Sequence, residues 1–225
     1  MAARIYAVAN QKGGVGKTTT AINLAACLAE AGERALVVDL DPQANATSGL
    51  GERANGTSTY DLLDGAPLEE LAKPTRFPNL HLVPARPELA GATVELAQRG
   101  DGETYLRDAL AAADRVLIPV QAEYYALEGL SQLVQSVNRV KARLNPRLAL
   151  GGVLLTMVDG RTRLSAEVAA EVRRHFGDIV FRTTVPRSVR LAEAPSFGLP
   201  AIAYDRRSRG ADAYWKVAME LVERA

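Results

Sequence analysis

IYAVANQKGGVGKTTT, residues 5–20, passes from a short apolar run through a glycine-rich turn into a threonine-led segment of helical character. A loop between a buried strand and a helix N-terminus collects unpaired backbone N–H groups and the positive end of the helix dipole. Gly13, Gly14 and Gly16 let that backbone curl where side chains would clash. Lys17 is placed to reach terminal phosphates, and the Thr18 hydroxyl to hold Mg²⁺. The run Gly13, Gly14, Val15, Gly16, Lys17, Thr18 and Thr19 is therefore the expected nucleotide cradle. Lys12 is one cation more than an ordinary phosphate loop needs.

Outward from the loop, short β-branched runs alternate with longer segments of helical period, the pattern of a parallel α/β sheet. Strands are expected near Ile5–Ala9, Ala35–Asp39, Leu80–Pro84, Arg115–Val120, Leu150–Thr156 and Val180–Val185. Helices are expected over Lys17–Ala31, Tyr60–Asp64, Thr104–Ala112, Ala126–Leu144, Arg163–Phe176, Val189–Ala194 and Ala211–Glu223. Gly32 closes the first helix as a C-terminal cap, and Gly49–Thr59 reads as a loop. No linker divides the chain, so residues 1–225 are expected to form one doubly wound domain, a mostly parallel sheet flanked by helices.

Bulk composition narrows the class. Apolar residues make up 48% and charged residues 24% of the 225, as in an ordinary globular protein. The net charge of +1 does not announce a nucleic-acid binder, so any basic surface must be local. One cysteine, Cys27, excludes an internal disulfide, fits a reducing compartment, and lies on an apolar helix face. No export signal is visible and no apolar run approaches the roughly 20 residues of a membrane span. A cytoplasmic location is the expectation. His81 and His175 stand apart and suggest no metal site.

The ordinary phosphate loop wants glycine five positions before Gly16, where this chain has Gln11. KGGVGKT, with its early lysine, resembles the deviant Walker A motif of the ParA/MinD partition ATPases, nitrogenase iron protein and arsenical pump ATPases. That resemblance implies a P-loop NTPase fold, ATP with Mg²⁺, and a homodimer in which Lys12 crosses to the partner's nucleotide. A cation supplied in trans stabilises charge on the transferring phosphoryl group, as an arginine finger does.

VVDLDPQAN (37–45), PVQAEYYALEGL (119–130), LLTMVDGRT (154–162) and VPRSVRLAEAPSFG (185–198) are similar to segments of the chromosomal ParA/Soj branch. By that pattern Asp41 orients the attacking water, Asp39 lies near the Mg²⁺ shell, and Met157 and Pro186 line the adenine pocket. Arg187, Arg190, Arg207 and Arg209 are the implied contacts to non-specific double-stranded DNA, and a ParB-type centromere-binding protein is the implied partner. One cysteine is too few for the nitrogenase cluster. The end AYWKVAMELVERA reads as a core-docking helix, unlike MinD's membrane-binding one.

One family feature is missing. Partition ATPases carry a Walker B strand ending in Asp-x-Pro-Pro before the PVQAEYY segment, and YLRDALAAADRVLIPVQ has none. Roughly two dozen residues are absent against the family pattern. In the family that strand lies between the one feeding the phosphate loop and the one ending at Asp39. Deleting it leaves two rows of backbone groups facing a gap, several kcal/mol in aggregate. Either the sheet closes up with a changed strand order, or the residues exist and this sequence omits them.

Three functions stand open on the sequence. The first is a partition switch: ATP closes a nucleoid-binding dimer, and hydrolysis stimulated by the ParB-type partner releases it. The second is a metabolic ATP-dependent ligase of the same superfamily, similar to dethiobiotin synthetase. The third is a non-hydrolysing nucleotide-binding scaffold, with LVVDLD as the only stand-in for Walker B.

Overall fold

A computed structural model describes residues 3–53, 55–90, 111–123 and 126–224. The elements in chain order are β1 (Tyr6–Val8), α1 (Lys17–Glu30), β2 (Ala35–Val38), α2 (Asn45–Gly49), α3 (Thr59–Leu63), α4 (Leu68–Leu71), β3 (Lys73–Pro74) and β4 (Leu80–Val83). They continue with β5 (Arg115–Gln121), α5 (Ala126–Arg143), β6 (Ala149–Thr156), α6 (Arg163–Phe176), α7 (Val189–Glu193), α8 (Ala201–Tyr204) and α9 (Arg209–Glu223). The expected helix Thr104–Ala112 lies mostly outside the described residues. The fold class is α/β with mainly parallel strand pairing.

The chain forms two compact units, 1–17 with 102–187 and 18–101 with 188–225, where the sequence led us to expect one domain. Their interleaving explains why no linker was legible: the chain passes from one to the other inside continuous structure, at the first residue of α1.

In the first unit β1, β5 and β6 form a parallel sheet in that order. β5 and the second half of β6 are buried on both faces, which accounts for their near-continuous apolar runs. Leu130, Leu133 and Val137 of α5, one helical stripe, pack with Val116, Ile118, Val120, Val153, Leu155 and Val172 of α6. The strand expected at Val180–Val185 does not form. The chain there touches β6 through Phe181 N–H to Val153 O and Val185 N–H to Leu155 O, 2.9 Å each, with bends between. The buried Phe181 ring lies over Gly152, where a Cβ would stand 2.3 Å from it.

In the second unit β2 pairs in parallel with β4, and β4 antiparallel with β3. Ile22, Ala25, Ala26 and Ala29 of α1 cover Val37, Leu80 and Leu82. Cys27 is fully buried, and burial pushes its thiol up to about 12, as its apolar face predicts. α9 buries Tyr214, Val217, Ala218 and Leu221, so the terminal helix docks as expected. No helix among the described residues is long and apolar enough to cross a membrane.

Among the described residues β1 pairs only with β5, and β2 only with β4. Each is an edge strand of a three-stranded sheet among those residues. Their exposure is consistent with this. β1 is only half-buried along its length and Leu36 of β2 is 39% exposed, whereas β5 is buried from Val116 to Val120.

Candidate nucleotide site

The phosphate loop is suspended from the first unit's sheet by side chains. Asn10 Nδ2 donates to Pro119 O at 2.8 Å, and its Oδ1 accepts from Lys12 N–H at 3.0 Å. Further along, Thr156 Oγ1 donates to Val15 O at 2.9 Å, and Val15 is 1% exposed. The loop is thus tied to the carboxyl ends of β5 and β6, where ligands collect in parallel sheets. Gly14 and Gly16 take φ of 74° and 88°, so L side chains would be strained there. A Cβ on Gly13 or Gly14 would meet nothing within 4 Å, so the loop's face is open. Glycine flexibility, exposed N–H groups and open space together fit an anion of phosphate size.

Both loop lysines are held within this unit. Lys17 Nζ donates to Lys12 O at 3.0 Å, arching back over the loop. Lys12 Nζ meets Glu123 Oε2 at 2.8 Å, each side chain about half exposed at 54% and 46%. Glu123 also accepts a short hydrogen bond from Gln121 Nε2. Asn10, Thr156 and Glu123 were not singled out from sequence. Glu123 lies inside the quoted PVQAEYY segment, but nothing local there indicates that it faces Lys12.

Met157 and Pro186, expected at the adenine, lie on adjoining segments of the first unit. Met157 has φ 52°, a left-handed conformation uncommon for a side chain of its size. Immediately after it, Val158 bridges Pro186, with Val158 N–H to Val185 O at 3.1 Å and Arg187 N–H to Val158 O at 3.3 Å. Beyond that bridge Arg161 grips Asp159 through Nε at 3.0 Å and Nη2 at 2.8 Å. The guanidinium's hydrogen bonds, with the Arg161 N–H, hold the Asp159 carboxyl far below the usual range.

The second unit holds Thr18, Thr19, Asp39 and Asp41. Thr18 and Thr19 lie in the first turn of α1, half-buried, and Thr19 O accepts from Asn23 Nδ2 at 2.8 Å. Asp39 is 4% exposed and engaged on both oxygens. Oδ2 accepts from Thr47 N–H at 2.8 Å and Thr47 Oγ1 at 2.7 Å, and Oδ1 accepts from Asp41 N–H at 3.2 Å. Burial raises its pKa, and the Thr47 hydrogen bonds oppose that. Asp39 thus organises the 39–47 loop through three accepted hydrogen bonds. Asp41 is exposed, with Oδ1 accepting only from Gln43 N–H at 3.0 Å among the described residues. It is the carboxylate of this loop free to meet water or a hydrated metal.

The four expected DNA arginines differ. Arg187 belongs to the first unit and is exposed. In the second unit Arg207 and Arg209 are exposed, and no ion pair among the described residues holds them. Arg190 is engaged by Glu193 and Asp205, and neighbouring Arg206 by Glu30 at 2.7 Å.

Residues 6–201 match the model of the CobQ/CobB/MinD/ParA nucleotide binding domain. The chain is 54% identical to the chromosome-partitioning ATPase Soj of Thermus thermophilus, covering 98% of this chain and 96% of Soj. It is 49% identical to the chromosome partitioning protein ParA of Myxococcus xanthus, covering 98% and 88%. Among solved structures it resembles a Mycobacterium smegmatis protein described as cobyrinic acid a,c-diamide synthase with bound ADP and magnesium. That likeness has a TM-score of 0.80 at 31% identity, over 99% of this chain and 95% of the other. The Soj alignment runs over 242 positions and the ParA alignment over 250, against 225 residues here. At least 17 and 25 of those positions therefore face no residue of this chain. Those counts are of the size of the absent Walker B segment. With the phosphate loop, its second lysine and near full-length identity in agreement, the chain belongs to the CobQ/CobB/MinD/ParA nucleotide-binding family, in its ParA/Soj branch.

Proposed function

We propose that this protein is an ATP-dependent DNA-partitioning switch. ATP with Mg²⁺ occupies the loop Lys12–Thr19, and the bound state closes a homodimer in which Lys12 reaches the partner's nucleotide. The dimer binds double-stranded DNA without sequence preference, and a ParB-type partner stimulates hydrolysis and release. The observation that carries this reading is the suspended loop bearing two lysines, Lys17 folded over it and Lys12 exposed beside it. The partitioning relatives are also more similar to this chain than the protein described as a diamide synthase.

Lys17 would stabilise charge on the terminal phosphates from within the subunit, and Lys12 from across the interface. Thr18 and water would hold Mg²⁺, whose chemistry is to neutralise charge between phosphate oxygens. Asp41 would orient the attacking water. Arg187, Arg207 and Arg209, doubled in a dimer, give about 6 phosphate contacts, enough for a roughly 10³-fold loss of affinity between 50 and 200 mM salt. The protein would then reside in the cytoplasm on nucleoid DNA, with no membrane stage.

The two edge strands favour one variant of this reading, a chain that binds ATP and DNA without turnover. ATPase assays with and without DNA and a ParB-type partner separate the cases. DNA- and partner-stimulated phosphate release supports the switch, ATP-dependent DNA binding without release supports the scaffold, and neither behaviour would return the choice to a metabolic ligase.

A further inference from the structure

DLDPQANAT, residues 39–47, leaves the end of β2 and runs into α2, and one hydroxyl joins its two ends. Thr47 Oγ1 donates to Asp39 Oδ2 at 2.7 Å and accepts from Ala85 N–H, just beyond β4, at 3.0 Å. The Thr47 N–H reaches the same Asp39 oxygen at 2.8 Å. The other oxygen, Oδ1, accepts from Asp41 N–H at 3.2 Å. A continuous chain of hydrogen bonds therefore runs from the Ala85 amide through Thr47 and Asp39 to the backbone of Asp41. All of it lies in the second unit.

Thr47, Asp39 and Ala85 are buried, so water does not compete for these bonds. Thr59, also buried, supports the chain from the side. Its Oγ1 donates to Asp39 O at 2.7 Å, with Pro84 O at 3.2 Å, and its N–H donates to Pro84 O at 2.8 Å. Two threonines thus cross-link the ends of β2 and β4. The segment between needs such holding. Ala44 takes φ 52° and ψ 35°, a left-handed conformation that costs a residue with a Cβ, and its N–H closes the 41–44 turn on Asp41 O at 2.8 Å. A strained turn persists where its flanks are fixed, here by the Asp39–Asp41 contact on one side and Thr47 on the other.

Asp41 stands exposed at the end of this chain, where its carboxylate can meet water. We propose that Thr47 is a positioning residue for nucleotide hydrolysis: through Asp39 it fixes the backbone of Asp41, and with it the place from which the Asp41 carboxylate meets the attacking water. This rests on the reading above in which Asp41 orients that water. Water adds to the γ-phosphorus as the bond to the ADP oxygen breaks, releasing ADP and phosphate. Misplacing the orienting group by about 1 Å can cost about 100-fold in rate. Position 47 requires a hydroxyl, because it must accept from Ala85 and donate to Asp39 at once. Serine keeps both bonds; valine, of similar shape, makes neither.

The test measures ATP affinity, steady-state turnover and amide hydrogen exchange for the parent, Thr47→Val and Thr47→Ser. Thr47→Val should lower kcat by about 10–100-fold with ATP affinity unchanged, and Thr47→Ser should turn over at the parental rate. In the nucleotide-free proteins the Asp41 amide should lose about tenfold of its protection in Thr47→Val and none in Thr47→Ser. A merely structural threonine would lower the unfolding temperature with kcat and the Asp41 amide unmoved, and that result overturns the proposal. So does a Thr47→Ser variant as slow as Thr47→Val. If Thr47→Val does not fold, the parent decides. Its Asp41, Thr47 and Ala85 amides should open as one unit, and an Asp41 amide exchanging more than about tenfold faster than the other two refutes the link. A parent that binds ATP without turning it over sinks the hydrolytic switch, while exchange at Asp41 still decides whether Thr47 holds it.

Discussion

The hydroxyls of Thr20 and Tyr214 meet at 3.0 Å inside the second unit, joining the first turn of α1 to α9 across 194 positions of sequence. Both side chains are essentially inaccessible to water, and burial raises the Tyr214 phenol above its ordinary range. A second tie runs parallel to it, with Asn23 Oδ1 accepting from Ala201 N–H at 2.7 Å. The helix that starts at Lys17 is thereby fastened to the C-terminal segment that carries Arg207 and Arg209.

Tyr214→Phe removes one hydroxyl and strands the other. The expected cost is about 1–3 kcal/mol, the penalty for an unsatisfied buried polar group. Pairing it with Thr20→Val, which removes the stranded hydroxyl, should recover part of that loss. Thermal or denaturant unfolding of the two variants checks the order, and a double variant no better than the single would show that the pair does not carry the effect.

Lys17→Ala should weaken ATP binding by about 100-fold or more, because it deletes charge-assisted bonds to the terminal phosphates. Titration calorimetry reads this directly, and unchanged affinity would remove the phosphate-loop assignment.

Lys12→Ala should leave ATP binding by the monomer intact and abolish ATP-dependent dimerisation and turnover. Glu123→Gln acts in the opposite sense, since it releases Lys12 from its partner in the same chain. An ion pair half exposed on both sides is worth about 0.2–1 kcal/mol, so the ATP dimer should form at protein concentrations lower by at most about fivefold. Sedimentation with ATP measures both, and a normal dimer from Lys12→Ala would end the cross-subunit role.

Asp41→Ala should slow hydrolysis by about 10²–10⁴-fold while ATP dimer and DNA binding persist, as expected for a group that orients water. Turnover at the parental rate would exclude Asp41. Where the parent itself does not turn over, the variant should still retain ATP-dependent DNA binding.

Much of this arrangement was legible because the sequence demands were local. Gly14 and Gly16 sit at positive φ, which few other residues tolerate, so the loop declared itself. The apolar runs of β5 and β6 likewise required burial on both faces. Asp39 was harder to read. Its sequence position is equally compatible with metal and loop, and the deciding partner, Thr47, is eight residues away. Val180–Val185 has strand composition, yet Phe181 takes the space that Gly152 leaves and the chain bends instead of pairing throughout. The helices α2, α4 and α8 span 4 or 5 residues each, too short for a periodic signal.

β1 and β2 carry the phosphate loop and the Asp39–Asp41 loop directly after them, and each is paired on one side only among the described residues. A strand with one partner and a half-exposed flank opens more readily than one held on both sides, so its amides exchange with solvent early. Two early-exchanging stretches therefore run straight into the segments expected to hold ATP. Any ligand that binds only the closed form then raises stability with the logarithm of its excess over Kd, by about 2.7 kcal/mol at a hundredfold excess. On the proposed ATP-binding reading, folding of the site and occupancy of the site become one equilibrium, with the nucleotide as part of the structure it binds.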